Sequence, residues 1–237
     1  PDKNPSLKNC ETVSFLALKD GKTAGRVMAI LNKPANEVWN EEAVRFWMLD
    51  FIEDYEVAQA LFAAVEEWAR EKGMTRVQGP LGFCDLDKQG MLVDGFDEQD
   101  LAITIYNPPY YPQYMERLGY VKKYDWLEFQ VMTPEKPSER LERLAAIIMK
   151  RNKFTLLPLR TTKDMYPYLD EAFEVLNAAF KVLPGVVPLS REMADKYITE
   201  YIKYISPDYL CVVMDKDQKI AGFGVAVPSL GQAIRKS

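Results

Sequence analysis

The pattern of hydrophobic and polar residues near the start of the chain predicts a β-hairpin over 11–31. Apolar and polar residues alternate along the first strand, and Asp20-Gly21 supplies a tight turn. Val27 to Leu31, in the second strand, is rich in residues that favour β-structure. The segment 44–52 is nearly continuous in apolar content. We therefore expect it to be a strand covered on both faces and central in a sheet.

An amphipathic helix is predicted over 55–72. Its apolar residues recur every three or four positions, which places them on one face of a helix. Asp54 can cap its start, and Gly73 stands where a helix commonly ends.

The remaining elements give an α/β (α+β mixed sheet) order. In the first part we expect strands at 75–78, 101–106 and 126–132, with a short helix ending at Leu118. After a boundary at Thr133 to Pro137, we expect a helix to Asn152, a strand at 154–159, helices at 164–181 and 190–205, and a hairpin of 209–214 with 220–227. The predicted domains are 1–132, a helical linker at 133–153, and 154–237.

The two predicted hairpins share a short sequence echo. Lys22-Thr23-Ala24-Gly25 and Lys219-Ile220-Ala221-Gly222 occupy the same place after their turns. Two tandem domains would explain the echo, and so would one large α/β domain with two ordinary hairpins.

The composition and net charge of the chain limit the class of protein and the kinds of partner that it fits. The chain has 237 residues, of which 48% are hydrophobic and 27% charged, as in a folded protein. Its longest apolar run, Leu144 to Met149, is far shorter than the roughly 20 residues of a membrane span, so we expect a cytoplasmic protein with no membrane partner. The net charge of −5 argues against a nucleic-acid partner.

The sequence contains no histidine, and its three cysteines are far apart. These facts exclude histidine-dependent nucleophiles and imidazole bases, and we expect no metal site.

Several strings resemble the GNAT superfamily of N-acetyltransferases. They are Ala64 to Gly73, Tyr114 to Tyr120, Gln78 to Phe83, Tyr106 to Pro112 and Val187 to Ser190, and the last three are similar to a bacterial tandem-domain subgroup. The resemblance implies a GNAT-like acyl-CoA N-acyltransferase fold in two tandem copies, each incomplete here. It also implies transfer of an acetyl group from acetyl-CoA to a small-molecule or peptide amine.

The chain departs from that family where the cofactor would bind. The family's glycine-rich loop holds the pyrophosphate of acetyl-CoA at a helix N-terminus. Here no glycine occurs between Gly25 and Gly73, and Glu53, Asp54 and Glu56 stand at the helix start. We therefore expect the first domain to bind CoA poorly, and we expect a conventional acetyl-CoA loop to lie in a longer parent protein.

The resemblance also suggests site residues. Asp50 is the candidate base, and Tyr114, next to Met115 at the family's usual tyrosine position, is the candidate acid for the departing thiolate. The residues expected to line an acceptor cleft are Arg45, Trp47, Gln78, Asn107, Tyr110 and Tyr111. The alternative function is a non-catalytic scaffold or small-ligand-binding protein, and exposed hairpin edges allow a homodimer.

Overall fold

A computed structural model describes residues 4–99, 101, 103–201, 205–231 and 236. The chain forms two compact units. Unit 1 comprises Pro1–Asp125, Leu183–Pro188 and Ser229–Ser237, and unit 2 comprises Trp126–Val182 and Leu189–Pro228. Nothing in the sequence indicated that Leu183–Pro188 would belong to unit 1.

Unit 1 is built on a four-stranded mixed sheet in the order β1-β2-β3-β4. The strands are β1 (Cys10–Lys19), β2 (Lys22–Asn32), β3 (Ala43–Phe51) and β4 (Arg76–Gln78). The first three are antiparallel, and β4 runs parallel to β3 over three residue pairs. The predicted hairpin, its turn and the interior position of β3 are confirmed.

Helix α2 (Tyr55–Glu71) covers one face of this sheet. Its buried residues recur at the predicted spacing of three and four and pack on the apolar side chains of β2 and β3, among them Val27, Ala29 and Phe46. Three of them, Val57, Leu61 and Val65, belong to the predicted stripe, whereas Ala60, which was also predicted to lie on it, is exposed. Asp54 caps the helix by accepting a hydrogen bond from the Glu56 amide at 2.9 Å, and Gly73 follows with a φ of +72°. The core of unit 1 lies between the sheet and α2.

Two shorter helices complete the described part of unit 1. Helix α1 (Lys33–Trp39) was not predicted, and Asn32 caps it by accepting a hydrogen bond from Ala35. Helix α3 (Tyr110–Arg117) matches the short helix predicted before Gly119.

Unit 2 contains a three-stranded antiparallel sheet in the order β5-β6-β7. Its elements are α4 (Glu139–Asn152), β5 (Thr155–Leu156), α5 (Leu169–Phe180), α6 (Arg191–Tyr201), β6 (Leu210–Met214) and β7 (Ile220–Val225). The second predicted hairpin is confirmed. The end of the helix predicted over 190–205 falls partly on 202–204, outside the described residues.

Two predicted strands are wrong. No strand forms among the described residues of 101–106, where position 102 is not described, and none forms at 126–132. The second of these segments is fully exposed, so its alternating pattern has no sheet face to pack against. Helix α4 likewise buries none of its apolar stripe.

Among the described residues, no helix has both the length and the apolar character that a bilayer crossing requires.

Candidate functional site

A β-bulge in β3 brings the candidate residues of that strand onto one face of the sheet. Trp47 pairs with Met28 and Asp50 pairs with Arg26, so Met48 and Leu49 together oppose a single residue of β2. Met48 has a φ of +49°, which is uncommon outside glycine and marks the irregularity. In a regular strand, positions 47 and 50 would point to opposite faces. The extra residue instead places Trp47 and Asp50 on the face away from α2.

Asp50 presents an exposed carboxylate at the end of β3. Its side chain is 68% exposed, its Oδ1 lies 3.1 Å from the Tyr111 hydroxyl, and its Oδ2 lies 4.0 Å from a guanidinium nitrogen of Arg26. Arg26 is the cation near this carboxylate, whereas the predicted cleft residue Arg45 binds backbone carbonyls elsewhere. One oxygen is therefore fixed by a buried group while the other faces solvent and a cation.

The hydroxyl of Tyr111 has a defined direction. It accepts a hydrogen bond from the Phe51 amide at 3.0 Å, and Tyr110 already donates to the Phe51 carbonyl at 2.6 Å. Tyr111 is 3.4 Å from that carbonyl and 3.1 Å from Asp50, so its proton is best placed on the carboxylate. Burial raises the pKa of Tyr111, which keeps it a neutral donor at ordinary pH.

Tyr114 lies in an aromatic cluster beside this pair. Its ring is stacked near Phe51 with centroids 6.2 Å apart and meets Tyr55 and Tyr110 at 5.6 and 5.5 Å. Tyr114 is half-buried, whereas Met115, at the position where the resemblance places a tyrosine, is buried in the core. The structure thus brings Asp50, Tyr110, Tyr111 and Tyr114 together at one end of β3.

The start of α2 is occupied by the chain's own carboxylate. Asp54 caps the helix and also forms an ion pair with Lys19, whose hydrogen bond to it lowers the pKa of Asp54. The backbone amides that would receive a phosphate at this helix start already face an anion. Glu53 and Glu56 add further negative charge next to it.

The other four predicted cleft residues also bind neighbouring protein groups, and three of them are described first. Trp47 donates from Nε1 to the Lys88 carbonyl at 2.7 Å. Asn107 is buried and exchanges two hydrogen bonds with the backbone of Leu92. Gln78, which pairs with Arg45 across β3 and β4, donates to Glu41 at 2.9 Å and accepts from Lys123 at 2.7 Å.

Arg45 lies beneath the surface, although it shares its sheet face with Trp47. It is 1% exposed and donates to the carbonyls of Gly82 and Gly185 at 3.0 and 2.9 Å. Burial lowers the pKa of its guanidinium. The structure therefore separates Arg45, Gln78 and Asn107 from the group around Asp50.

Sequence reasoning missed two features of this site. Arg26 was not recognised as a cation near Asp50, because the Asp20-Gly21 turn sets only the β1-β2 register and Arg26 meets Asp50 through the β2-β3 register. The bulge was also missed, because nothing in a run of apolar residues marks one extra position in a strand.

Comparisons with known proteins add two relatives. The chain is 27% identical over 233 residues to Protein YghO of Escherichia coli strain K12, covering 98% of this chain and 59% of that protein. It is 26% identical over 238 aligned positions to the bacterial ceramide synthase of Caulobacter vibrioides, covering 99% of this chain and 60% of that protein. No family model matches the chain, and no solved structure matches it significantly. The chain thus spans about three fifths of both curated relatives it matches.

Proposed function

We propose that this chain is part of an N-acyltransferase, in which an acyl group passes from a thioester donor such as acetyl-CoA to an amine. The observation that carries the proposal is the exposed Asp50 carboxylate, held by Tyr111 at the bulged end of β3 among tyrosine rings. A relative's name supports it, because a ceramide is an amide of a long-chain amine. The resemblance of several segments to GNAT N-acetyltransferases points to the same chemistry.

In this proposal Asp50 serves the acceptor. The Oδ1 atom is engaged by Tyr111, so Oδ2, which faces solvent and lies 4.0 Å from a guanidinium nitrogen of Arg26, accepts the proton that the amine loses as its nitrogen attacks the thioester carbonyl. The new C–N bond forms, the C–S bond breaks, and the thiolate leaves with a proton. Tyr114 is the proposed donor of that proton.

The nucleotide part of the donor is proposed to bind away from the start of α2. Asp54 occupies the helix amides there, and Lys19 is committed to Asp54. Unit 1 then supplies the acceptor side of the reaction rather than the phosphate site.

The test is an acyl-transfer assay on the native protein that carries this sequence, with acyl-CoA donors and a panel of primary amines. Asp50→Asn keeps the shape of the side chain and removes its basicity, so we expect kcat/KM to fall by about 10²–10⁴. Glu53→Gln, at a neighbouring exposed carboxylate, is the matched control and should retain activity. Equal activity of Asp50→Asn and the parent would contradict the proposal.

A second candidate is a non-catalytic domain that keeps the fold as a scaffold. The capped start of α2 and the buried Met115 favour it. A thermal-shift titration of the 237-residue chain with acetyl-CoA and with amines distinguishes the two. Stabilisation by amines alone supports the acceptor role, and stabilisation by neither supports the scaffold.

A further inference from the structure

We propose that the segment Leu183–Pro188, named here the strap, holds the loop 79–90 in place through Arg45, which makes Arg45 a positioning residue for the candidate site. The loop lies beside Trp47, which shares its sheet face with Asp50. The role of this loop in catalysis rests on the proposed function. The link between the strap and the loop does not depend on that function.

Arg45 bridges two segments that are distant in sequence. Its Nη1 donates to the Gly82 carbonyl in the loop, and its Nη2 donates to the Gly185 carbonyl in the strap, 140 residues away. The Nε atom is buried and finds no hydrogen-bond partner among the described residues. A buried guanidinium depends heavily on the acceptors that remain, so losing the strap carbonyl would leave a charged donor poorly satisfied.

The strap is held by more than this one bond. Trp39 donates from Nε1 to the Val186 carbonyl at 2.8 Å, and the side chains of Val186 and Val187 are 7% and 4% exposed. Gly185 has a φ of +78°, and a Cβ added there would lie 3.9 Å from the Leu81 side chain of the loop. The strap therefore lies close to the loop at the point where Arg45 bridges them.

The loop in turn is fastened to β3 next to the candidate site. Leu81 donates its amide to the Phe46 carbonyl at 2.9 Å, and Gly90 donates to the Pro80 carbonyl at 2.8 Å. Phe83 packs edge-on against Trp47 with ring centroids 5.7 Å apart. A shift of the loop would therefore move Trp47. Trp47 and Asp50 are neighbours on the same sheet face, since they pair with Met28 and Arg26 of β2.

The test releases the strap without touching the loop or Arg45. In the full chain, Val186→Ser with Val187→Ser buries two hydroxyls and should free the strap, and Trp39→Phe is a milder variant that removes only the bond to Val186. Hydrogen exchange is followed at the amides of Leu81 and Gly90. We expect exchange there to accelerate on the order of tenfold, while the amides of α2 stay protected.

Three further variants sharpen the result. Val182→Ser changes an exposed valine just before the strap and should leave exchange unaltered. Arg45→Met should loosen both strap and loop, and Arg45→Lys, which keeps a charged donor, should restore part of the protection.

Unchanged exchange at Leu81 and Gly90 after strap release would overturn the proposal. So would a general loss of protection that includes α2 in the milder Trp39→Phe variant, because the strap would then support the whole fold rather than the loop. A loosened loop in a protein without acyl-transfer activity would refute the proposed function and leave the strap's role intact.

Discussion

Gly25 and Gly222 end the two echoed segments, and we predict opposite effects when each is replaced by alanine. Both lie in the second strand of an antiparallel hairpin, where Gly25 pairs with Ala17 and Gly222 with Val213. Neither has a positive φ, so alanine is compatible with both backbones. The difference lies entirely in what surrounds them.

The surroundings set the magnitude. A Cβ added at Gly25 would lie 2.8 Å from Phe51 Cβ, 3.0 Å from the Asp50 carbonyl oxygen and 3.0 Å from Leu61 Cδ1. The first two are backbone or close to it and cannot move aside cheaply, so we expect overpacking to cost about 1–3 kcal/mol of unfolding free energy. Apart from its chain neighbours, no atom of the part of the chain that the structure describes lies within 4 Å of a Cβ added at Gly222. The reduced entropy of the unfolded chain should then stabilise Gly222→Ala by about 0.4–1 kcal/mol.

The assay must separate the two units. Urea titrations followed by hydrogen exchange with mass spectrometry report the unfolding midpoint of α2 and of the β6-β7 hairpin in the same sample. Gly25→Ala should lower the first midpoint, and Gly222→Ala should leave or raise the second. If Gly25→Ala is as stable as the parent chain, or if both variants lose stability equally, the packing argument fails.

Three other predictions follow from single side chains. Tyr111→Phe removes the acceptor of the buried Phe51 amide and should cost about 1–3 kcal/mol of unfolding free energy, measured by urea titration. Asn107→Ala removes both hydrogen bonds to the Leu92 backbone and should cost a similar amount, whereas a pure ligand-binding role would leave stability unchanged. Hydrogen bonds from Lys72 and then Lys33 lower the pKa of Glu11 from 4.5 to about 2, so its contribution to stability is present above pH 4.5 and is lost as the pH falls toward 2. The small stability difference between Glu11→Gln and the parent should shrink over that interval, and a difference at pH 2 as large as that at pH 6 would contradict the assignment.

The sequence predicted those parts of the fold that local signals determine. The Asp20-Gly21 turn fixed the first hairpin, and the three-and-four spacing with its Asp54 cap fixed α2. The strand predicted at 126–132 is wrong. Alternation of apolar and polar residues favours a strand only where one of its faces can pack on other residues, and the residues of this segment are exposed. Helix α1 was missed because its composition is that of a polar connection, and its cap by Asn32 is a single-residue signal.

The sequence indicated which residues could form the candidate site, but it did not indicate how they are arranged. The sequence named Tyr110, Tyr111 and Tyr114 as candidate site residues together with Asp50, and the structure places these tyrosines near the end of β3. The sequence could not show that Met48 adopts a left-handed backbone or that Arg45 turns inward to bind the carbonyl of Gly185. Both depend on long-range contacts, which no local pattern encodes.

The capped start of α2 has a consequence for protein engineering. Grafting a nucleotide-binding turn onto this helix would take more than inserting glycines after β3. Asp54 would have to be removed, which would release Lys19, and the free lysine would become the first counter-ion for an incoming diphosphate. Redesign could thus begin from the ion pair itself, with the cation already standing where the new ligand would need it.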